Sequence, residues 1–434
     1  MKFLAIALAC DEERFLKSYP PKGADLLRSP NFEISQLASL LSPRDQLFYV
    51  DERIDLVNFE IPFDLAFIYA NFCQEKRAME LVLQLTEKGK RSILFGPLPT
   101  TWRDSLPSWV DSVVIGSILN AYPEIRNDLT KGELKKQYLA STQPQYLSPL
   151  LKESEKKPFY NQSYQQLQTI IGCFCLPPLK PFCPQYLYYG DNILKRNLIE
   201  VIGEIIAMPF KHITLLDDDI TQYPEYYYEF FQWVWNYRKH WTVNAGARLF
   251  ELTGFIRLLA KAGTRILFLN EDWFPNLFPG IITRENSKVA SESYPKQVLR
   301  IKRKQVKILH SERILVGAKM SLIYYSASEF DFDSVFKLID RLDLDFLQIR
   351  VFAPAPLDKQ KLGYEFEPTL RRYYPMLPST DPIWLKNRFY TLGQIIYRIA
   401  RRPFSLGFYN TLFYLIPYSL AYRQNFLEGI AYPP

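Results

Sequence analysis

The chain has 434 residues, of which 48% are apolar and 23% charged, and this length and composition predict a soluble globular protein with more than one domain. A net charge of +7 is too small to indicate a nucleic-acid partner, and none is expected. Five cysteines without regular spacing argue against a secreted disulfide framework and predict a cytoplasmic protein. The opening run MKFLAIALAC meets acidic residues at once, which favours a buried first strand over a signal peptide.

Strand-like and helix-like segments alternate through the first 130 residues, which we assign to one domain. The predicted strands are Phe3–Ala7, Gln46–Val50, Asp64–Tyr69, Ser92–Phe95 and Ser112–Ile115, and the predicted helices are Ser35–Leu41 and Lys76–Lys90. This pattern predicts an α/β domain with a doubly wound parallel sheet, whose ligands bind at the carboxyl ends of the strands. Residues 131–165 are polar and poor in strand signals, and we interpret them as a linker.

Residues 166–356 resume the alternation with about six strand–helix units, which predicts a partial or full barrel of parallel strands. Helices are expected at Leu198–Ala207, Tyr226–Tyr237, Phe250–Ala262 and Phe332–Leu342, and strands at His212–Leu216, Trp241–Asn244, Arg265–Phe268, within Ile314–Tyr325 and at Phe346–Val351. Polar residues follow two of these strands, as Asp217-Asp218-Asp219 and Asn270-Glu271-Asp272. Such barrels carry their chemistry at this carboxyl edge.

The last segment, residues 357–434, is an aromatic and basic extension that we expect to be helical. Phe404–Tyr422 is apolar and aromatic with few charges. We favour a helix packed on the barrel, and the alternative is a surface that touches a membrane peripherally. The protein is then cytoplasmic in the first case and membrane-associated in the second.

Three of the five cysteines, Cys173, Cys175 and Cys183, lie within eleven positions, just after the apolar run Thr169–Ile171. Three buried thiols packed as small apolar groups are one interpretation. A metal or cluster site explains their proximity better, because thiolates that share a metal must converge on one loop.

The chain resembles cobalamin-binding radical S-adenosylmethionine proteins over some 340 residues. In the first domain the matching features include Tyr19–Gly23, Phe63–Leu65, Leu94–Gly96 and Asp111–Gly116. In the second they include Gly172-Cys173, Phe182–Pro184, Lys195-Arg196, Glu204, Leu216–Asp218, Arg248, Ala262-Gly263, Glu271 and Phe346–Pro356.

The resemblance implies that Cys173, Cys175 and Cys183 hold a 4Fe-4S cluster whose open iron binds S-adenosylmethionine. It places cobalamin in the first domain, near Gly96. Asp217, Asp218, Arg248 and Glu271 are then candidates for contacts with S-adenosylmethionine or substrate. Strand-end turns, helix caps and ion pairs are the structural alternatives for these four side chains.

The cysteine spacing differs from the family's Cys-x-x-x-Cys-x-x-Cys, because one residue separates Cys173 from Cys175 and seven separate Cys175 from Cys183. Two functions therefore remain open. The first is a radical enzyme that methylates or otherwise modifies an unactivated carbon of a small hydrophobic substrate. Its electrons would come from an external electron donor. The second is a degenerate, non-catalytic relative that serves as a binding or assembly subunit.

Overall fold

The computed structural model describes residues 1–9, 30–53, 55–71, 74–102, 108, 110–149, 164–174, 180, 183–274, 296–323, 340–352 and 389–427. Several predictions lie outside these ranges: the Tyr19–Gly23 loop, most of the 332–342 helix, the 353–356 turn, residues 357–388 and Cys175. Elements are numbered below in chain order within the described residues.

The first domain is built on a six-stranded parallel sheet, as predicted. Its strands lie in the order β2-β1-β3-β4-β5-β6. Alternate residues of the first strand enter opposite cores, with Phe3 and Ala5 on one face and Leu4 and Ile6 on the other. Both faces are therefore buried, which explains why the strands are almost continuously apolar. The strands are β1 Lys2–Ala7, β2 Gln46–Asp51, β3 Leu65–Tyr69, β4 Arg91–Phe95, β5 Ser112–Ile115 and β6 Gln137–Leu139.

Helices cover the two faces of this sheet. Asn31 caps the first helix by accepting a hydrogen bond from the Ile34 amide, and Gly132 ends the fourth in the left-handed conformation. The helices are α1 Phe32–Leu40, α2 Glu75–Glu87, the one-turn α3 Pro97–Thr100 and α4 Ile118–Lys131.

The predicted linker was wrong in part, because residues 137–139 form β6 and pair with β5 in the first sheet. Tyr138 is buried beneath this edge, and its hydroxyl donates to Asp128. A three-residue edge strand with only one buried position is too short to give a periodic signal. Beyond it, Tyr146 and Ser148 donate to Glu204 of the second domain.

The second domain holds a second six-stranded parallel sheet, in the order β14-β13-β12-β11-β10-β7. Its strands follow one another in sequence apart from a short ribbon, as a partial barrel requires. They are β7 Tyr164–Leu167, β10 His212–Leu215, β11 His240–Ala245, β12 Thr264–Leu269, β13 Leu315–Ile323 and β14 Phe346–Phe352. The antiparallel ribbon pairs β8 Ile170–Ile171 with β9 Leu194–Lys195.

The apolar run at residues 169–171 therefore lies in this ribbon and outside the barrel sheet. The first barrel strand is β7, whose sequence Tyr-Gln-Gln-Leu is polar because it lies at the sheet edge. The helix predicted over Phe250–Ala262 also begins later, at Phe255, after a 3-10 turn at Ala247–Glu251.

Helices on the outer face of the barrel pack through aromatic side chains. The indole of Trp241 lies 5.5 Å from the ring of Phe230 and 6.2 Å from that of Phe231. The helices of the second domain are α5 Pro184–Tyr189, α6 Leu198–Ala207, α7 Pro224–Val234, α8 Phe255–Ala262 and α9 Lys296–Ser311.

The C-terminal extension packs on the barrel, as favoured from the sequence. It comprises α10 Leu392–Arg401, α11 Pro403–Asn410, a π-helical turn at Thr411–Leu415 and α12 Ile416–Leu427. Tyr414, Tyr418 and Tyr422 recur every fourth residue, so they lie on one face of a helical stretch. They contact, respectively, His240, Phe346 and Gln348 of the sheet. No helix in the described ranges combines the length and apolar character needed to cross a bilayer.

Candidate functional site

The carboxyl edge of the barrel is organised by two asparagines, Asn244 near the end of β11 and Asn270 just after β12. Asn244 Nδ2 donates to the Asp217 carbonyl over 2.9 Å, and Asn270 Nδ2 donates to the Asp218 carbonyl over 2.7 Å. Because the parallel strands end at the same edge, both amides reach the turn that follows β10. These bonds fix the backbone of the Asp217–Asp219 turn. Asn244 was not among the residues predicted for the site.

Asp217 is buried, and its carboxylate holds the segment that leads into the cysteines. The amides of Thr169 and Ile170 donate to its Oδ1 over 2.9 and 2.7 Å, and Thr169 Oγ1 donates to Oδ2 over 2.8 Å. Burial raises the pKa of Asp217 to about 6, although these hydrogen bonds act in the opposite direction. The contacts seen are with the protein's own backbone, which makes Asp217 a positioning residue for the cysteine segment.

The cysteine segment is tightly packed where the structure describes it. Gly172 has φ +136°, and a Cβ there would lie 2.8 Å from the Asn192 carbonyl oxygen, so only glycine fits. Cys173 and Cys183 are both buried, and Cys183 directly precedes α5. Within the described ranges, which omit Cys175, no three His, Cys, Asp or Glu side chains are grouped as a metal site. The three-thiolate ligand set therefore stays a prediction.

Two further carboxylates converge on Gly246, beside the same edge. Gly246 N donates to Asp219 Oδ1 and Ala247 N donates to Asp272 Oδ2, each over 2.9 Å. A Cβ on Gly246 would lie about 2.5 Å from both carboxylates, so the backbone approach requires glycine. Burial, followed by the charge of Asp219, raises the pKa of Asp272. The sequence did not predict that Asp219 and Asp272 meet at Gly246, because the three residues follow three different strands.

The other predicted residues of the barrel lie along this edge. Arg248 is exposed on the 3-10 turn after β11, Glu271 is partly buried after β12, and Asp218 is partly buried after β10. Three adjacent strands thus bring Asp217, Asp218, Arg248 and Glu271 to one side of the domain. Whether they bind a cofactor stays a prediction.

In the first domain the strand order reverses between β1 and β3, and the crevice at such a reversal is the usual ligand site. Gly96 follows β4 with φ +111°, and a Cβ there would lie 2.7 Å from the Ala70 carbonyl oxygen. Thr100 Oγ1 donates to the Gly96 carbonyl and accepts from the Gly116 amide. The loops after β4 and β5 are therefore locked to each other.

A buried ion pair fixes the crevice from its other side. Arg77 from α2 donates to Glu52 after β2, with Nη2 to Oε1 at 2.5 Å and Nε to Oε1 at 2.9 Å. The Glu52 carboxylate also accepts from the Ala9 amide, and Gln74 Nε2 donates to the Leu8 carbonyl. The end of β1 is thus held rigidly at the point where the strand order reverses.

The two carboxyl edges meet through the helix that follows Cys183. Tyr188 Oη donates to both oxygens of Glu33, the second residue of α1, over 3.0 and 3.1 Å. Tyr189 hydrogen-bonds Ser117 after β5. Burial raises the pKa of Glu33 to about 7, against the opposing effect of the Tyr188 and Tyr69 hydroxyls. The cysteine segment is therefore joined directly to the carboxyl edge of the first sheet.

The amino end of the barrel holds a separate polar cluster. Tyr414 Oη contacts Nδ1 of His212 at 3.2 Å and also Nδ1 of His240. Burial, reinforced by the charge of Arg265, lowers the pKa of His240 to about 3. Both imidazoles therefore serve in packing the C-terminal helices, in line with the structural role expected for His212.

Comparisons with known proteins support the class of fold. The chain superposes on a solved structure of the radical S-adenosylmethionine methyltransferase TsrM from Kitasatospora setae, which has cobalamin and a 4Fe-4S cluster bound. The TM-score is 0.54 at 12% identity, over 81% of this chain and 75% of that one. The predicted fold class, two parallel α/β sheets with a helical C-terminal region, is thereby confirmed.

The sequence itself is similar to one particular enzyme. It is 22% identical over 336 residues to bacteriochlorophyllide d C-12(1)-methyltransferase from Chlorobaculum tepidum, which covers 74% of this chain and 70% of that protein. No protein-family profile matches the chain. Together with the structural likeness, this relative confirms the resemblance to cobalamin-binding radical S-adenosylmethionine proteins.

Proposed function

We propose that the protein is a radical S-adenosylmethionine methyltransferase that uses a 4Fe-4S cluster and cobalamin to methylate an unactivated carbon. The observation that carries this proposal is the junction between the domains. Tyr188 and Tyr189, just after Cys183, are bonded to Glu33 and Ser117 at the carboxyl edge of the first sheet. A cluster on the cysteine segment and a cofactor in the first crevice would then share one reaction space. Two similar proteins are named as methyltransferases.

The described cysteines have suitable chemistry for the cluster. Cys173 and Cys183 are buried thiols on one segment, and thiolates are the usual ligands of 4Fe-4S clusters. When bound, the cluster supplies the electron that cleaves S-adenosylmethionine. The protein's part is positional, because Asp217 anchors Thr169 and Ile170, a short distance before Gly172 and Cys173 in the chain.

S-adenosylmethionine would meet the barrel edge through polar groups of the chain. The Asp219 carboxylate already accepts hydrogen bonds from the protein's own Gly246, Thr221 and Gln222. Asp272 is more exposed and accepts from Ala247, and a carboxylate in this position suits an ammonium or a ribose hydroxyl. Asp218, Arg248 and Glu271 are the neighbouring candidates.

Cobalamin would bind the first domain without a histidine ligand from the protein. The sequence has three histidines, and all of them lie after residue 200. His212 and His240 contact Tyr414 inside the barrel, and His310 pairs with Asp345. The rigid crevice at β1 and β3, with the Gly96 turn beside it, is the site that the fold offers.

The substrate would be hydrophobic, in keeping with the aromatic character of the barrel core. Phe268 and Phe346 lie 6.4 Å apart, and Tyr418 and Tyr422 approach Phe346 from the C-terminal helix. The named relative acts on bacteriochlorophyllide d, which is a substrate of this general character. The reducing electron would come from a separate protein, because Cys10 and Cys73 are too few to hold a second cluster.

Anaerobic reconstitution tests the proposal. With iron, sulfide and hydroxocobalamin, the full chain should show the absorbance and spin resonance of a 4Fe-4S centre and cleave S-adenosylmethionine. Replacing Cys173, Cys175 and Cys183 by Ala should abolish the spectroscopic signature of the cluster and the cleavage of S-adenosylmethionine. Cys10→Ala with Cys73→Ala is the matched control and should keep them. A wild-type chain that takes up no cluster would refute the enzyme.

The non-catalytic alternative is favoured by one observation, the unusual spacing of the three cysteines. It predicts that the triple Cys→Ala protein still complements a deletion strain. Loss of complementation in the triple variant, with retention in the Cys10 and Cys73 control, would eliminate that alternative.

A further inference from the structure

The C-terminal helices carry an apolar surface that faces solvent. Eight of the nineteen exposed large apolar or aromatic side chains in the described part of the chain lie between residues 392 and 420. Phe408 is 75% exposed, Ile396 62% and Phe413 55%. We call this set the apolar C-terminal surface: Leu392, Ile396, Tyr397, Phe408, Tyr409, Leu412, Phe413 and Leu420.

Helix α10 shows this exposure of apolar side chains most clearly. Its buried face carries Arg398 beside Ile395, and Arg402 just beyond its end is buried too, whereas Leu392 and Ile396 project outward. A helix on the surface of a soluble protein normally buries its apolar side chains and exposes its charged ones. Packing on the barrel therefore does not explain why this helix also exposes large apolar side chains.

The arrangement is firmly held, so these side chains cannot simply turn inward. Arg402 Nε donates to Asp345 Oδ1 over 2.7 Å, and His310 Nε2 contacts the other oxygen at 2.8 Å. Arg398 donates to the Phe389 carbonyl over 2.7 Å. In the π-helical turn and α12, Tyr414, Tyr418 and Tyr422 face the sheet.

The charges around this surface are all of one sign within the helices that form it. Residues 389–427 contain four arginines, of which Arg398 and Arg402 are buried, and no acidic residue. The neighbouring helix α9 contains six cationic side chains and no acidic one, and Arg300, Arg303, Lys304 and Lys307 are exposed on it. Asn410 of α11 donates to the Arg313 carbonyl just beyond α9, so the two regions are adjacent.

We propose that the apolar C-terminal surface docks the protein onto an anionic lipid bilayer. Exposed aromatic and aliphatic side chains enter the boundary between headgroups and acyl chains, and flanking cations bind anionic headgroups. Charge decides against a second copy of this chain as the occupant. A symmetric dimer through this surface would bring the same cations face to face.

Vesicle co-sedimentation of the full chain tests the proposal. Wild-type protein should bind vesicles of phosphatidylcholine mixed with phosphatidylglycerol, and binding should weaken on pure phosphatidylcholine or at high salt. Phe408→Ser with Phe413→Ser should lower the partition coefficient roughly tenfold for each phenylalanine. Arg303→Gln with Lys304→Gln should lower it roughly fivefold for each cation, on anionic vesicles only.

The matched control is Ile199→Ser with Ile206→Ser, two equally exposed residues of α6 on another part of the molecule. This control should bind vesicles like the wild type. All the changed side chains are exposed, so thermal unfolding should confirm that each variant folds.

Three results would overturn the proposal. The first is wild-type protein that binds neither kind of vesicle, and the second is a phenylalanine variant that binds as tightly as the control. A concentration-dependent dimer that only the phenylalanine variant loses would assign the surface to a second copy instead.

Discussion

At the scale of single residues, buried carboxylates do the positioning. The Asp217 carboxylate accepts three hydrogen bonds, from the Thr169 and Ile170 amides and from Thr169 Oγ1, and so joins strand β8 to the barrel edge. A buried amide that loses its acceptor costs the full price of its desolvation, about 1–3 kcal/mol. Residues of this kind control the geometry of the cysteine segment without touching a substrate.

Two substitutions at Asp217 separate its hydrogen bonds from its charge. Asp217→Ala leaves the Thr169 and Ile170 amides without their acceptor and should lower the free energy of unfolding by about 3 kcal/mol. Asp217→Asn keeps one carbonyl oxygen for both amides and should cost less than half as much. Urea unfolding measures both changes. Equal losses in the two variants would contradict the positioning role.

Asp217→Asn should also change the pH dependence of stability. The pKa of Asp217 is raised to about 6 in the folded protein, so the folded state binds the proton more tightly than the unfolded state does. Stability from this group is therefore greatest at low pH and declines from about pH 4 to pH 6. The asparagine variant should lose that part of the slope.

At the scale of elements, the attachment of the C-terminal helices depends on one buried ionic network. Asp345, just before β14, binds Arg402 and His310, and the Val316 amide donates to it over 2.9 Å. Those positive partners lower the pKa of Asp345 against the effect of its burial. The stabilisation by this carboxylate is present above its unfolded pKa and is lost as the pH falls below it.

The two neighbouring arginines of this network provide a matched comparison. Both pair with Asp343, but Arg402 is buried and also binds Asp345, whereas Arg401 is exposed. Arg402→Met should cost about 3–5 kcal/mol, because it leaves a buried carboxylate short of a partner. Arg401→Met should cost at most about 1 kcal/mol. Thermal unfolding that showed equal losses would contradict this account of the network.

At the scale of the whole molecule, the contact between the domains contains a titratable group. Glu33 accepts from Tyr188, and its folded pKa of about 7 exceeds the ordinary value of 4.5 for a glutamate. The folded protein therefore loses stability as the pH rises between these values, and the loss is complete above about pH 7. Alkaline conditions should weaken the junction that holds the cysteine segment against the first sheet.

Glu33→Gln removes this charge while keeping a hydrogen-bond acceptor for Tyr188. At pH 8 it should raise the free energy of unfolding by about 2 kcal/mol, and at pH 5 it should change stability little. Glu60→Gln, at an exposed carboxylate of the same domain, is the control and should be neutral at both values. A Glu33 variant that is no more stable than wild type at pH 8 would contradict the raised pKa.

Local patterns were sufficient for most elements of the fold. The apolar runs at Phe3–Ala7 and Ser112–Ile115 became strands because both faces of a parallel sheet are buried. The edge strands β6 and β7 were not predicted, because they bury fewer side chains than central strands do and show no periodic pattern of apolar residues. Helix α4 was also not predicted, and Pro123 within its first turns weakens the helical pattern.

The sequence alone determined that two α/β domains precede an aromatic extension, and that Asp217, Arg248 and Glu271 follow strands. Those properties depend on neighbours in the chain, so a linear pattern reveals them. Only the tertiary structure decided that Asp272 and Asp219 meet at Gly246, that Tyr188 reaches Glu33, and that the last helices turn apolar side chains outward. Each of these depends on contacts between residues far apart in sequence, which no local pattern records.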